Sequence, residues 1–302
     1  MNPIRPTTLI EANALAKRLG LETLTIASET FQVTGSFKFR AAYNLVSTVK
    51  QSLIIAASSG NFGQAIACAC ELLGKQAIIV MPDRSAQVKV DAVRSYGARA
   101  ELIDTDRVGR EERVTQLAAD HPGAYIASAY DDQLVIEGNS TLGIELADRL
   151  PGTDYIIAPV GGGGLTSGLI IGLCTTGSAA KVIGAEPLEA NDAAQSLLRG
   201  EIVRNESESR TIADGARTRS LGQLNWSIIR HGIDRILEAP EALIEQSVRE
   251  LYNINLKAEP TGALSLAAVL SAPDMFNGKK VCCVVSGGNV DPAVYARIIQ
   301  GG

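Results

Sequence analysis

Histidine is scarce. The 302-residue chain carries two, His121 and His231, and neither stands near another candidate metal ligand. A zinc centre or a Ser-His-Asp triad therefore has little to draw on. No block of Lys or Arg appears, and 28 basic against 33 acidic residues leave a net charge of -5. That excludes the electrostatic footprint of a nucleic-acid binder. Apolar runs such as 155–160 and 281–285 are short, far below the ~20 residues that span a bilayer. Residues 1–9 hold one Arg and two Pro but no apolar signal-peptide core. The expectation is a cytoplasmic protein with no membrane or nucleic-acid partner. Cysteine is limited to five, an odd number. Cys68 and Cys70 lie in an apolar helical stretch and Cys282 and Cys283 in an apolar strand-like one, which reads as buried thiols rather than a disulfide framework.

What is present is an alternation of short apolar runs with longer helical ones. Residues 52–57, 76–81, 100–103, 155–160, 181–185 and 281–285 read as strands. Residues 63–73, 86–96, 110–120 and a stretch from about 165 read as helices. Apolar runs without clean alternation mark strands covered on both faces, and their alternation with helices implies right-handed crossovers and a mostly parallel sheet. The length fits about two domains at roughly 150 residues each, or one large α/β unit. The β-α block 52–130 reads as a small inserted domain. Residues 1–51 and 131–302 then form the larger one. The polar stretch 200–222 reads as a surface excursion.

Three glycine-rich stretches follow expected strands. Gly161-Gly162-Gly163-Gly164 stands between a strand and the helix opening near Leu165. A glycine run here lets backbone N–H groups and a helix N-terminus face a phosphate, with a tight turn as the plainer alternative. A dinucleotide fingerprint fails because Ser167 stands at its third glycine position, and a P-loop fails because Leu169 replaces the required lysine. A small phosphomonoester fits better. Ser58-Ser59-Gly60-Asn61 and Ser286-Gly287-Gly288-Asn289 each offer a hydroxyl and a carboxamide at the end of a strand. Ligands bind there in open α/β sheets, although a helix cap or a simple turn would use the same residues. Lys38 stands between Phe37 and Phe39. Such a lysine is ordinarily solvated, but a desolvated one has a lowered pKa and becomes an amine nucleophile. An amine nucleophile and a phosphate cradle together point to an aldehyde cofactor carrying a phosphate, which pyridoxal phosphate is.

At these residues the chain resembles the fold-type II pyridoxal-phosphate enzymes, most closely the serine/threonine dehydratase and serine racemase branch. The motifs run in family order over nearly the whole chain. The resemblance implies two three-layer α/β domains with mostly parallel sheets, the tryptophan synthase β-like fold, and a homodimer. It implies that Lys38 forms a Schiff base with the cofactor and that Asn61 bonds its phenolic oxygen. It further implies that the backbone of Gly161, Gly162, Gly163, Gly164 and Leu165 holds the phosphate, and that Ser286 bonds the pyridine nitrogen. Ser58, Ser59, Gly60 and Asn61 would bind the substrate carboxylate, with Ser59 a second acid/base opposite Lys38. Glu186, the Ala190 carbonyl and Asp192 look like the family's divalent-cation site, whose oxygen ligands suit Mg²⁺ or Ca²⁺. Thr211-Ile212-Ala213-Asp214-Gly215 and Glu259-Pro260-Thr261-Gly262-Ala263 match further motifs of the branch, with Glu259 near the cofactor ring.

The implied activity is an ammonia-lyase converting a β-hydroxy amino acid, L-threonine, L-serine or 3-hydroxyaspartate, to a 2-oxo acid and ammonia. A serine racemase is the alternative, followed by a β-replacement synthase of the cysteine synthase type. Departures from the branch's text occur at Phe62, where relatives often carry His, at Gln133, Glu137 and Asn139, and at Ile26-Ala27-Ser28-Glu29, which lacks the usual lysine. They bear on the substrate and leave room for a β-substituted amino acid other than serine or threonine, such as 3-hydroxyaspartate.

Overall fold

A computed structural model describes residues 3–207 and 209–301. Its strands are β1 (Thr8–Glu11), β2 (Thr23–Ser28), β3 (Leu53–Ala57), β4 (Gln76–Pro82), β5 (Arg99–Ile103), β6 (Tyr125–Ala127), β7 (Tyr155–Pro159), β8 (Lys181–Pro187), β9 (Ile233–Ala239) and β10 (Lys280–Val285). Its helices are α1 (Asn13–Arg18), α2 (Lys38–Thr48), α3 (Asn61–Leu72), α4 (Gln87–Ser95), α5 (Arg110–Asp120), α6 (Gln133–Arg149), α7 (Gly164–Thr176), α8 (Asp192–Arg199), α9 (Gln223–Gly232), α10 (Glu241–Asn253), α11 (Pro260–Ser271) and α12 (Pro292–Gln300).

The strands form two sheets. Six run in the order β1-β2-β10-β7-β8-β9, parallel except for the antiparallel β1-β2 pair. Four run β5-β4-β3-β6, all parallel. Both are covered on both faces, which is why their strands read as unbroken apolar runs. In β10, Val281, Cys283 and Val285 enter the core shared with α10, α11 and α12, whereas Cys282 and Val284 enter the one shared with α6 and α7. In the smaller sheet Ile54 and Ala56 face α2 and α3, and Ile55 faces α5. The α/β fold with mostly parallel sheets is as the sequence implied.

Elements that the sequence reading did not list include the buried β2, α6, α10 and α11 as well as weakly patterned strands. β1 is a four-residue, partly exposed edge strand, β6 spans three residues, and β9 is a half-buried edge strand broken by a register shift opposite Val182 and Ile183. Residues 200–222 are less peripheral than their polarity implied. Thr211, Ala213 and Ala216 are buried, and the Gly215 carbonyl lies against Gly161. Four of the five cysteines (Cys68, Cys70, Cys282 and Cys283) are buried, and all five are free thiols. No described helix is long and apolar enough to cross a membrane.

The strand orders place the site. In the six-stranded sheet the direction of winding reverses between β10 and β7, and in the four-stranded sheet between β3 and β6. Loops leaving the carboxyl ends of strands at such reversals diverge and open a crevice. The three glycine-rich stretches are the loops after β7, β10 and β3.

Candidate active site

Lys38 opens α2, and its Nζ donates to the Ala129 carbonyl at 2.7 Å. The amine lies 5.0 Å from the Phe37 ring centroid and 5.6 Å from that of Phe62. Burial between these rings lowers its pKa to about 8, with the Glu259 charge opposing the shift. An uncharged, nucleophilic amine is thus accessible near neutrality. The helix behind it is anchored two residues on. Arg40 is buried, with Nε on Glu29 at 2.8 Å, and Nη2 on Glu29 at 2.9 Å, Glu145 at 2.7 Å and the Thr7 hydroxyl at 2.8 Å. Stripping one partner from such a buried pair costs about 3–5 kcal/mol, so the start of α2 is held firmly.

The loop after β7 is a packed cradle. Gly163 has φ +94, a left-handed conformation that favours glycine. A methyl group on Gly162 would lie 2.2 Å from the Tyr130 ring. Its carbonyls are turned into the protein. Gly162 O accepts from Asn225 Nδ2 at 2.8 Å and the Gly222 N–H at 3.1 Å, and Gly164 O accepts from Asn139 Nδ2 at 3.0 Å. With the carbonyls tied back, the N–H groups opening α7 have no partner within the helix, and its dipole favours an anion there. Beside the loop, the buried Thr218 hydroxyl lacks a hydrogen-bond partner. An orphaned donor, a cradle with no room for side chains and a desolvated amine one residue from Tyr130 along the Ala129 contact together fit pyridoxal phosphate.

The β3 loop brings in Ser58 and Ser59, half-buried, and Asn61, the first residue of α3. The cap alternative is not taken up: Gly60 is the N-cap and no side chain caps this helix. Ser58 Oγ instead accepts from the Gly60 N–H at 3.3 Å. Asn61 Nδ2 donates to both oxygens of Glu259, at 2.9 and 3.2 Å. Burial, aided by the negative Asp214, pushes Glu259 up to about 8. Glu259 and Lys38 therefore both shift toward their neutral forms. Ser286 is buried at the end of β10, its carbonyl accepting from the Phe37 N–H at 2.9 Å. The last strand is thereby joined to the residue preceding Lys38.

The residues expected to bind a cation lie at the end of β8 and the start of α8. Glu186 ends near the β8 terminus, Ala190 closes a one-turn 3-10 helix and Asp192 opens α8. Both Glu186 oxygens accept from the Ala193 and Ala194 N–H groups at 2.9 Å. Asp192 Oδ1 accepts from Asn205, and Asp192 Oδ2 is buried without a partner. Among the described residues, no three His, Cys, Asp or Glu side chains converge as a metal site.

Of the departures from the branch's text, Phe62 is the one beside Lys38. Gln133 and Glu137 pair with each other on the exposed face of α6 at 3.0 Å. Asn139 lies under the glycine loop, so it supports the cradle rather than the substrate. Tyr130, Asn225 and Lys89 carry no signal that sequence reasoning could single out. Lys89 Nζ on α4 meets Asp214 at 3.0 Å across the crevice between the two sheets, a pairing that no local motif announces.

The sequence pattern of the family described as pyridoxal-phosphate dependent enzyme matches residues 1–287. The chain belongs to this family, in its fold-type II serine/threonine dehydratase branch, and is a pyridoxal-phosphate enzyme. A curated relative, the L-threo-3-hydroxyaspartate ammonia-lyase of Saccharomyces cerevisiae, is 37% identical over 303 residues, covering 99% of this chain and 92% of its own. Among solved structures, a threonine deaminase from T.th. matches with a TM-score of 0.88 at 37% identity, covering 95% of this chain and 94% of the other. Maize serine racemase matches with a TM-score of 0.91 at 30% identity, covering 99% and 92%. Lyases acting on hydroxy amino acids, the activity class implied by the resemblance, are thus among its relatives.

Proposed function

We propose that the chain is an ammonia-lyase that converts a β-hydroxy amino acid, with L-threo-3-hydroxyaspartate first and L-threonine and L-serine next, to the 2-oxo acid and ammonia. The observation that carries this is the Lys38 amine, desolvated between Phe37 and Phe62 and contiguous through Ala129 and Tyr130 with the glycine cradle. Two relatives 37% identical to the chain carry the hydroxyaspartate ammonia-lyase name, which sets the order of substrates.

When bound, pyridoxal phosphate supplies an aldehyde that condenses with amines and a ring that acidifies the substrate's α-hydrogen. Residues 161–165 would hold the phosphate by backbone N–H groups, Lys38 would tether the aldehyde, Asn61 would donate to the phenolic oxygen and Ser286 would bond the pyridine nitrogen. Ser58, Ser59, Gly60 and Asn61 receive the substrate carboxylate at the α3 N-terminus. Lys38 Nζ, low in pKa, takes the proton from the substrate's α-carbon. Ser286 carries no charge, so it does not hold a proton on the ring nitrogen as a carboxylate would. With the cofactor bound, such a neutral partner would favour prompt loss of the β-hydroxyl as water. Water then releases ammonia, so the net change is hydroxy amino acid to oxo acid plus ammonia. Ser59 as a proton donor on the face opposite Lys38 would give racemisation, and the likeness to maize serine racemase favours this as the second reading.

Residues 52–130 act as a smaller domain closing over the substrate and excluding water. Its core also draws on Ala41, Leu45 and Val135 beyond those limits, so α2 and the start of α6 pack against it. A Mg²⁺ or Ca²⁺ ion would be held by Glu186, the Ala190 carbonyl and Asp192, whose partnerless buried oxygen suits a hard cation. The protein works in the cytoplasm as a homodimer.

The test is an absorbance spectrum after adding pyridoxal phosphate, then 2-oxo acid release from the three substrates. A visible band absent in Lys38→Ala, with oxo acid fastest from L-threo-3-hydroxyaspartate, is expected. A band without oxo acid moves racemisation forward, and no band at all ends the reading. Mg²⁺ should raise the thermal midpoint of the wild type and not of Asp192→Asn.

A further inference from the structure

We propose that Asn289 is a positioning residue that fixes which end of the Asn61 carboxamide faces the reaction crevice. The inference rests on the reading that pyridoxal phosphate binds here.

Asn289 Nδ2 donates to the Thr34 carbonyl at 2.8 Å and to Asn61 Oδ1 at 2.8 Å. A backbone carbonyl accepts and never donates, so Thr34 decides the orientation of Asn289. Turned around, the Asn289 oxygen would face the Thr34 oxygen. With its NH₂ committed to Thr34 and Asn61, Asn289 in turn requires Asn61 to present its oxygen. That leaves the Asn61 NH₂ on the other side, where it meets the Glu259 carboxyl at 2.9 and 3.2 Å. Polarity is thus relayed from Thr34 O through two amides to Glu259. An NH₂ held on that side is the end that an acceptor oxygen on the cofactor would require.

The surroundings keep this relay in register. Gly35, next to Thr34, has φ +73, and a methyl group there would sit 2.5 Å from Asn289 Oδ1. The Gly288 N–H donates to Gly35 O at 3.0 Å, and Ser36 bridges Gly287. The loop after β10 is therefore stitched to the segment leading into Lys38, and Asn289 carries that connection across to Asn61 on the smaller sheet. Asn289 itself is solvent-exposed, so its replacement disturbs no core packing.

The discriminating variant is Asn289→Asp, nearly identical in shape but unable to donate. It obliges Asn61 to turn its NH₂ toward residue 289 and its oxygen toward the crevice. Asn289→Ala merely frees the amide. The readout is the pH midpoint of the visible band in the reconstituted protein, with cofactor affinity from its fluorescence. Glu259 is the titratable group bonded to Asn61, and Asp214, Lys89 and Lys38 act on it, so each variant is also measured with Glu259→Gln. Loss of a donor to a cofactor oxygen that gains charge on deprotonation raises the midpoint. We expect about one pH unit and about tenfold weaker cofactor binding in Asn289→Asp, with a smaller change in Asn289→Ala, both persisting with Glu259→Gln. In an Asn61→Ala background, neither substitution at 289 should move the midpoint further. Equal midpoints in wild type and Asn289→Asp, or effects that survive Asn61→Ala, overturn the proposal. If Asn289→Asp does not fold, the cycle of Asn61→Ala with Asn289→Ala decides alone. A wild type that never forms the band overturns the cofactor reading and this inference with it.

Discussion

Two loops in this molecule share one local grammar: a buried parallel strand, a glycine-containing turn and a helix whose N-terminus points into the crevice. Their packing differs. The loop after β7 is closed in, its carbonyls held by Asn225, Asn139 and Gly222 and its glycines pressed against Tyr130, Gly215 and Ile229. The loop after β3 is half open. Gly60 has nothing within 4 Å of where a methyl group would sit, and the contacts of Asn61 with Glu259 and Asn289 reach across to the other sheet. The same sequence device thus makes a tightly packed cradle in one place and one side of a more open clasp in the other. The cradle suits a group that stays bound, the clasp one that comes and goes.

The contrast is open to attack in decreasing order of effect. Gly162→Ala places a methyl group 2.2 Å from the Tyr130 ring. It should abolish cofactor retention and, as overpacking does, cost about 1–3 kcal/mol in stability. Gly60→Ala should change stability by less than about 0.5 kcal/mol, as surface substitutions do. Denaturant titration and cofactor fluorescence of the pair check this, and equal losses would erase the distinction between the loops.

A pH test probes the clasp. Glu259 is raised from 4.5 to about 8 by burial. The folded protein therefore holds a proton there that the unfolded chain has lost, and this contribution to stability fades as pH rises from about 4.5 through about 8. In cofactor-free protein, Glu259→Gln should flatten the fall of the thermal midpoint over that window. An unchanged slope would show that Glu259 titrates as an ordinary surface carboxyl.

The smallest effect is expected at the mouth of the crevice. The Lys89–Asp214 pair is partly exposed, and such pairs are worth about 0–1 kcal/mol. Lys89→Ala should leave kcat within a factor of two and raise KM up to about fivefold, the range such an energy spans. The exchanged pair Lys89→Asp with Asp214→Lys should restore it. Steady-state kinetics decide, and a collapse of kcat instead would move Lys89 into the chemistry.

The same contrast explains what is legible in the sequence alone. Lys38 and the glycine run are local patterns whose chemistry is visible in a few adjacent residues. Six strands of the two sheets are legible because burial on two faces leaves continuous apolar runs. Tyr130, Asn225 and Asn139 act on the cradle through contacts that exist only once the helices pack, and Asn225 reaches Tyr130 across 95 residues of chain. Asn139 in particular reads as a substrate-related departure, although it serves a backbone carbonyl. Residues 211–215 stand out as a motif, but the burial of Thr211, Ala213 and Ala216 is masked by polar neighbours that face solvent.

The topology of the larger sheet has a kinetic side. Its strand order, β1-β2-β10-β7-β8-β9, puts β10 (Lys280–Val285) between strands that begin at Thr23 and Tyr155. As the chain leaves the ribosome, the keystone of this sheet is the last of its six strands to emerge. Until it inserts, β2 and β7 expose unpaired edges, a hazard for association with other chains. The smaller sheet, complete by Ala127, can form first. Pairings that span so much sequence are slow to close. Nascent chains should therefore carry a folded small sheet beside an unsealed large one, and the loop bearing Ser286 and Asn289 completes the crevice only once every other strand has been made.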